Sequence, residues 1–262
     1  MENKKTIFLD VDGTLLSFQT HSVSQSTVRA LQCAHSRGHK LIIATGRAWT
    51  DLREIADIPY DAVIAGNGAE CVLRDGTVVS QQLISEADFR KSLELGEKYG
   101  FPVALELNEG IFVNRVNALV EESAHIVEHP VPEVVDLEVL FSKHKCTQMC
   151  FYFDEKTEQE VMAQLPDLSA TRWHPNFADI NVKGVSKAAG MKVMVGYFGL
   201  DISQTVAFGD GGNDIAMLRA AGIGVAMGNA SDTVKSNADY VTVSVDEDGV
   251  AHALLELQLI LT

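Results

Sequence analysis

The sequence predicts an α/β protein: a parallel sheet covered by helices on both faces, interrupted by an inserted α+β module. Two observations carry that prediction. Apolar runs of three or four residues, each stopping at a turn, alternate with amphipathic stretches at both ends of the chain, as buried parallel strands joined by helices do. Between about residues 83 and 183 the rhythm changes to paired strands and longer helices.

Taken in order, Ile7 to Leu9 is a buried strand stopping at Asp10, and Ser24 caps a helix carrying Val28, Leu31 and Ala34, closed by Gly38. Leu41 to Ala44 is the second strand, ending at Thr45-Gly46-Arg47. A helix with Trp49, Leu52 and Ile55 on one face is expected next, then a third strand, Val63 to Ala65, ending at Gly66-Asn67-Gly68. Cys71 to Leu73 and Val78 to Val79 flank Asp75-Gly76, a strong hairpin signal. The module then reads as a helix over 83–99 and paired strands at 103–107 and 111–114. Further on come a strand over 146–153, a helix over 155–165, and strands at 171–173 and 177–182. The alternating pattern returns with a helix from Ser186 to Phe198 and a strand, Thr205 to Phe208, ending at Gly209-Asp210. Ile215 to Ala221 is a helix, Gly224 to Met227 a strand, Val234 to Ala238 a short helix, Tyr240 to Val243 the last strand and Val250 to Leu257 the last helix. The expected organisation is a discontinuous core, 1–81 plus 184–262, with an inserted module over 82–183.

A hydrophobic content of 46% and a charged content of 22% suit a globular chain of 262 residues and exclude disorder, a collagen-like fibre or a coiled coil. Lysine and arginine number 21 against 36 acidic residues, a net charge of -15, so the field repels nucleic acid and anionic lipid, and no basic patch offsets it. No apolar segment is long enough to cross a bilayer, and Asp10 and Asp12 break the first apolar run too early for a signal peptide. Cys33, Cys71, Cys146 and Cys150 form no CxxC pair and are expected to be reduced structural thiols. The expected setting is cytoplasmic.

Ligands of open α/β sheets bind beyond the carboxyl ends of the strands. The residues at those positions are Asp10 and Asp12, Thr45 and Gly46, Asn67, and Asp210, Asn213 and Asp214, joined by Lys187 from the first turn of its helix. Four gathered carboxylates repel one another and call for a cation; an oxygen-only donor set favours Mg²⁺ over zinc. Each residue has a part in phosphoryl transfer. Asp10 is suited to attack phosphorus as a carboxylate, with charge neutralised by Mg²⁺ and Lys187. Thr45 and the Gly46 N–H can hold phosphate oxygens. Asp12 can protonate the leaving oxygen and then activate water, a task that needs a raised pKa. Asp210 is a metal ligand, and Asp214 binds the metal or orients its waters.

These residues are recognisable. Asp10-Val11-Asp12-Gly13-Thr14-Leu15 resembles the first motif of the haloacid dehalogenase superfamily in its phosphatase form. Thr45-Gly46-Arg47, Lys187 and Gly209-Asp210-Gly211-Gly212-Asn213-Asp214 resemble the second, third and fourth motifs, in order. The insertion between the second and third motifs, preceded by Asn67-Gly68-Ala69, resembles the Cof-type subfamily. The resemblance implies a Rossmann-like parallel-sheet core with an α/β cap of the C2 type that sets specificity, and a Mg²⁺-dependent phosphatase working through an aspartyl-phosphate. By the same resemblance Asp10 is nucleophile and metal ligand, and Asp12 is the acid/base, its backbone carbonyl also on the metal. Asp210 and Asp214 serve the metal, and Thr45, Gly46, Lys187 and Asn213 grip phosphate. Ala188 stands where many relatives carry glycine, which alters the turn and leaves the ammonium unchanged.

An EF-hand loop fails because Gly13 follows Asp12 at once and Gly212 occupies a ligand position. The glycines from 222 to 228 miss the dinucleotide spacing and suit tight packing instead. Arg47 either reaches substrate or only starts its helix; Trp173 and His174 have a similar choice, with the structural role the commoner. Of the function classes, a phosphatase for a small phosphorylated metabolite, most of all a sugar phosphate, accounts for every motif. A phosphomutase needs a second phosphate grip in the insertion, where Arg90, Arg115 and Arg172 are scattered. A non-catalytic receiver-like module phosphorylated on aspartate carries no such insertion.

Overall fold

The computed structural model describes residues 4–126 and 130–261, and the chain divides into two compact units, 1–80 with 186–262 and 81–185. The first unit opens with β1 (Thr6–Leu9), α1 (Gln25–Ser36), β2 (Lys40–Ala44), β3 (Ala62–Ala65), β4 (Glu70–Leu73) and β5 (Val78–Gln81). Ser24 caps α1 through the Thr27 N–H at 3.1 Å, satisfying one donor that the helix leaves open.

The expected helix around Trp49 to Ala56 is not formed. A single 3₁₀ turn, Arg53–Ile55, stands there. Leu52 and Ile55 are both buried, and a 3₁₀ turn aligns positions i and i+3 as well as an α-helix does. The Arg47 carbonyl accepts from Gly66 N–H at 3.0 Å, which ties the segment's start to the end of β3 instead of to a following helical turn.

The inserted unit holds α2 (Glu86–Tyr99), β6 (Val103–Leu107), β7 (Gly110–Val113), α3 (Ala118–Ile126), β8 (Glu133–Val134), α4 (Leu137–Phe141), β9 (Gln148–Phe151), α5 (Glu155–Met162), β10 (Leu168–His174) and β11 (Phe177–Val182). Its sheet has the order β10-β11-β9-β6-β7-β8. The α3–β8–α4 stretch had no clear periodic signal: β8 is two exposed residues and α4 only five. One face of this sheet packs Val103, Leu105, Met149, Phe151 and Ile180 against Phe89 and Leu95 of α2 and Val161 of α5. Phe151 and Phe153 lie in that core, whereas Tyr152 packs on the opposite face with Phe177.

The first unit resumes with α6 (Lys187–Phe198), β12 (Thr205–Gly209), α7 (Ile215–Ala220), β13 (Ile223–Ala226), α8 (Asp232–Lys235), β14 (Tyr240–Val241) and α9 (Gly249–Glu256). Its eight strands run β14-β13-β12-β1-β2-β3-β4-β5. All neighbours from β14 to β3 are parallel, and β4 is antiparallel to β3. Successive side chains on a strand face opposite ways, so Ile7 and Leu9 join α1 and α9 on one face while Phe8 joins α6 and α7 on the other. Both faces are covered, which is why these strands read as unbroken apolar runs. Gly222 and Gly224 press against the backbone of Ser203 and Leu218, the tight packing expected of them. No helix among the described residues is long and apolar enough to cross a membrane.

All four cysteines are free; Cys71, Cys146 and Cys150 are buried and Cys33 is half-buried. Burial pushes the Cys71 and Cys146 thiols up to about 12 and Cys150 well above its ordinary value, and thiolate is the reactive form. Native protein treated with a maleimide is therefore expected to take one label, at Cys33, and urea-unfolded protein four, read by intact mass.

Candidate active site

Four adjacent parallel strands, β12, β1, β2 and β3, end at one edge of the sheet, where the chain runs outward in both directions from β1. Asp10 follows β1 and donates its N–H to the Phe208 carbonyl at 3.1 Å, Thr45 follows β2 and donates to Ile64 at 2.8 Å, and Asp210 follows β12. After β3, Asn67 takes a left-handed conformation (φ 57°) and donates its N–H to the Thr45 carbonyl at 2.9 Å; asparagine tolerates that region better than most residues. Lys187 is the first residue of α6, whose cap, Ser186, accepts from Ala189 N–H at 3.1 Å. Gly68 (φ +109°) lets the chain pass close to this cap: a Cβ there would stand 2.1 Å from the Ser186 carbonyl oxygen. The expected helix start is thus held against the turn after β3.

The Lys187 ammonium, 1% exposed, lies 2.5 Å from Asp10 Oδ1 and 2.7 Å from Asp214 Oδ1. Asp214 is heavily engaged, because its Oδ2 also accepts the N–H groups of Asp210 at 3.0 Å and Gly211 at 2.9 Å. Burial, then Asp214 and Asp210, push the Asp10 carboxyl well above its ordinary value against the pull of Lys187. Burial and Asp214 likewise raise Asp210 to about 6. Burial disfavours the Lys187 ammonium, but Asp10 and Asp214 outweigh it and its pKa rises.

Asp10, Asp210 and Asp214 each bring one carboxylate oxygen within 4.8 Å of the other two. Crowded, desolvated carboxylates supplying only oxygen suit a hard divalent cation. With Asp214 held by the ammonium and two backbone amides, Asp10 and Asp210 are the side chains with the most coordinating capacity left. A second such group, Glu106, Cys150 and Asp179, lies in the inserted unit, where burial raises the Cys150 thiol well above its ordinary value.

Asp12 is turned to Arg47. Nε reaches Asp12 Oδ2 at 2.9 Å and Nη2 reaches Oδ1 at 2.6 Å, while Nη1 pairs with Glu54 at 3.2 Å. Burial disfavours the Arg47 cation, but Asp12, Glu54 and Asp51 hold it protonated. A forked, bidentate pair fixes carboxylate orientation as an ammonium cannot. Arg47, considered from sequence for substrate contact, is placed by the structure on Asp12 and Glu54. If it orients Asp12, Arg47→Lys lowers kcat about tenfold or more with KM little changed; if it grips substrate, KM rises and kcat holds. Steady-state kinetics separates the two.

Thr45 is completely buried, and its hydroxyl oxygen accepts the Arg47 N–H at 3.1 Å. A Cβ on Gly46 would come within 3.3 Å of the Asn67 amide, so Gly46 keeps that approach open. Asn213 donates its amide to Asn67 Oδ1 at 2.9 Å. Asn67 therefore joins the loops after β2, β3 and β12. In the inserted unit His174 stacks its ring on Phe177 and accepts the Asn176 N–H; the Trp173 side chain lies outside the described part of the chain.

Two residues were missed by sequence reasoning. Thr14 donates its hydroxyl to Asp210 Oδ1 at 3.2 Å, and Asn229 donates its amide to Asp210 Oδ2 at 3.3 Å. Asn229 stands just after β13, another core strand ending at the same edge, so the strand-end rule applied once more would have found it. Thr14 carries no separate signal within its motif.

The chain matches the model of the haloacid dehalogenase-like hydrolases over residues 7–254. It is 30% identical to the 5-amino-6-(5-phospho-D-ribitylamino)uracil phosphatase YcsE of Bacillus subtilis, over 95% of this chain and 94% of that one. Among solved structures it is similar to BT1666 from Bacteroides thetaiotaomicron, studied among the phosphatases of the superfamily. The two are 58% identical, with 99% and 97% of the chains covered and a TM-score of 0.95. It is also similar to BT4131, a sugar phosphatase of subclass IIB, at 37% identity, with 98% and 100% covered and a TM-score of 0.89.

Proposed function

This chain belongs to the haloacid dehalogenase-like hydrolases and is a phosphatase of that superfamily, and from that premise we propose that it hydrolyses phosphomonoesters of small metabolites, sugar phosphates above all, through an aspartyl-phosphate on Asp10. The observation that carries the reading is the buried Lys187 ammonium between Asp10 and Asp214.

Asp10 attacks phosphorus, and the bond from phosphorus to the leaving oxygen breaks. Asp12, whose two oxygens Arg47 holds in this structure, must release one of them to carry the proton it gives to that oxygen, and it then takes a proton from the water that cleaves the aspartyl-phosphate. Lys187 offsets the charge that builds as an anion meets an anion. Thr45, the Gly46 N–H and Asn213 hold the phosphate oxygens. Asp10, Asp210 and the Asp12 backbone carbonyl would hold a Mg²⁺, which would supply neutralisation of negative charge on the phosphoryl group; Asp214 supports the site through Lys187 and the 210–211 backbone.

Support for a sugar phosphate comes from the likeness to a sugar phosphatase. We assign residues 81–185 the part of a specificity cap that excludes macromolecular substrates. Hydrolysis is favoured over transfer between phosphosugars by the state of the three arginines in that unit. Arg90 pairs with Glu86 and Glu138, Arg115 with Glu97 and two carbonyls, and Arg172 with Glu158 and three carbonyls. Each is committed inside the unit instead of forming a second phosphate grip.

The test is phosphate release from a panel of sugar phosphates, nucleotides and pyridoxal phosphate, with Mg²⁺ or with EDTA. Release that requires Mg²⁺, with the highest kcat/KM on a sugar phosphate, is the expected result. Release unaffected by EDTA removes the metal from the reading, and a preference for nucleotides removes the substrate class.

A further inference from the structure

After β13 the chain turns sharply through Met227-Gly228-Asn229-Ala230, with the Met227 N–H on the Gly209 carbonyl at 3.0 Å and the Gly228 N–H on Val243 at 3.0 Å. These bonds set Asn229 at the same sheet edge as Asp10 and Asp210. Its side-chain amide is then used completely. Nδ2 donates to the Gly13 carbonyl at 2.8 Å and to Asp210 Oδ2 at 3.3 Å, and Oδ1 accepts the Val245 N–H at 2.9 Å. One amide joins four loops, those after β1, β12, β13 and β14.

The Asp210 carboxylate is held from both sides, Oδ1 by the Thr14 hydroxyl at 3.2 Å and Oδ2 by Asn229. Gly13 (φ +82°) makes the close approach possible: a Cβ there would stand 2.2 Å from Asp210 Oδ2. Nearby, Ser17 donates to Asp246 Oδ1 at 2.5 Å and Ser24 donates to Asp248, so the loop after β14 also anchors the segment that follows Gly13. The arrangement fixes where the second carboxylate of the cation site points relative to the first. A carboxylate that is free to rotate must be ordered when a cation binds, and one already held by neutral donors is not.

We propose that Asn229 is a positioning residue: by holding the Asp210 carboxylate and the Gly13 carbonyl in register with Asp10, it sets the affinity of the site for a divalent cation. The inference rests on Asp210 being a cation ligand. Because Asn229 is exposed, truncating it opens no cavity, and loss of its contacts is what the variant reports.

Direct Mg²⁺ binding is measured by isothermal titration calorimetry on wild type, Asn229→Ala, Val245→Pro and Asp210→Asn. Val245→Pro removes the N–H that Asn229 accepts and exchanges one apolar side chain at the margin of the core for another, at the first position of a 3₁₀ turn, where proline is tolerated. Asn229→Ala is expected to weaken Mg²⁺ about tenfold, with kcat returning towards wild type at saturating Mg²⁺, and Val245→Pro to bind within about twofold of wild type. Wild-type affinity in Asn229→Ala overturns the proposal. Equal weakening in both variants also overturns it, since the amide then acts only as a fastener for the 245 loop. If Asp210→Asn binds Mg²⁺ as wild type does, the reading of Asp210 as ligand fails instead.

Discussion

Asp10→Asn is expected to abolish phosphate release and, at neutral pH, to make the metal-free protein more stable than wild type. The loss follows from removing the attacking atom, since nucleophile deletions cost on the order of 10⁴-fold or more in kcat. The gain follows from the site's electrostatics. Asp10 is buried, faces Asp214 and Asp210, and is held well above its ordinary value in spite of Lys187. A carboxyl raised by folding adds stability that is complete below its unfolded value of about 3.9 and is lost as pH rises through the folded one. Wild type loses that increment progressively as pH rises above the unfolded value; an amide, neutral at every pH, keeps it. The melting temperature in EDTA should therefore be higher in the variant at pH 8, with the gap closing as pH falls towards 4. Mg²⁺ should raise wild type more than the variant, because a ligand of the native state stabilises it in proportion to its affinity. A variant less stable than wild type at pH 8 in EDTA would show that the Lys187 pair outweighs the crowding of carboxylates.

Lys187→Met is expected to lower both activity and stability, which sets it apart from Asp10→Asn. The side chain is 1% exposed and bridges two carboxylates that are themselves buried. Removing one partner of such a group leaves uncompensated charge and typically costs about 3–5 kcal/mol, roughly 10 °C in melting temperature for a chain of this size. Asp214 keeps its two backbone donors, so most of the cost falls on Asp10. Lowering the pH protonates the bare Asp10 carboxylate and should recover part of the loss, so the deficit is larger at pH 8 than at pH 5. In activity, loss of a buried donor aimed at developing charge costs on the order of 10²–10³-fold in kcat. Thermal melts across pH, beside single-turnover phosphate release, test both halves. A variant that melts with wild type at pH 8 would mean that Asp10 is already protonated there.

Parts of this were legible in the chain because they depend on local patterns. Apolar runs that stop at Asp10, Thr45, Gly66 and Asp210 mark where buried strands end, and a sheet covered on both faces leaves only those ends open to ligand. Serine before a helical run marks a cap, as read at Ser24 and at the helix start Ser186; Ser85 and Ser231 cap two further helices whose starts were read elsewhere. The helix expected after Arg47 failed because Leu52 and Ile55, three residues apart, suit a 3₁₀ turn equally well. The α3–β8–α4 stretch was unread because its elements are short and held by tertiary packing more than by their own periodicity.

What the sequence determined by itself is the chemistry of the site, since carboxylates, an ammonium and a hydroxyl at strand ends follow from residue type and from the periodicity of burial. Which partner each side chain takes was decided only by the tertiary structure. Asp214 spends both oxygens on Lys187 and two backbone amides, Arg47 clamps Asp12, and Asn229 reaches Gly13 and Asp210 across the sheet edge. Those choices depend on distances between residues far apart in the chain. Side-chain atoms a few ångströms apart exchange hydrogen bonds and charge according to geometry, and no local pattern of residues encodes it.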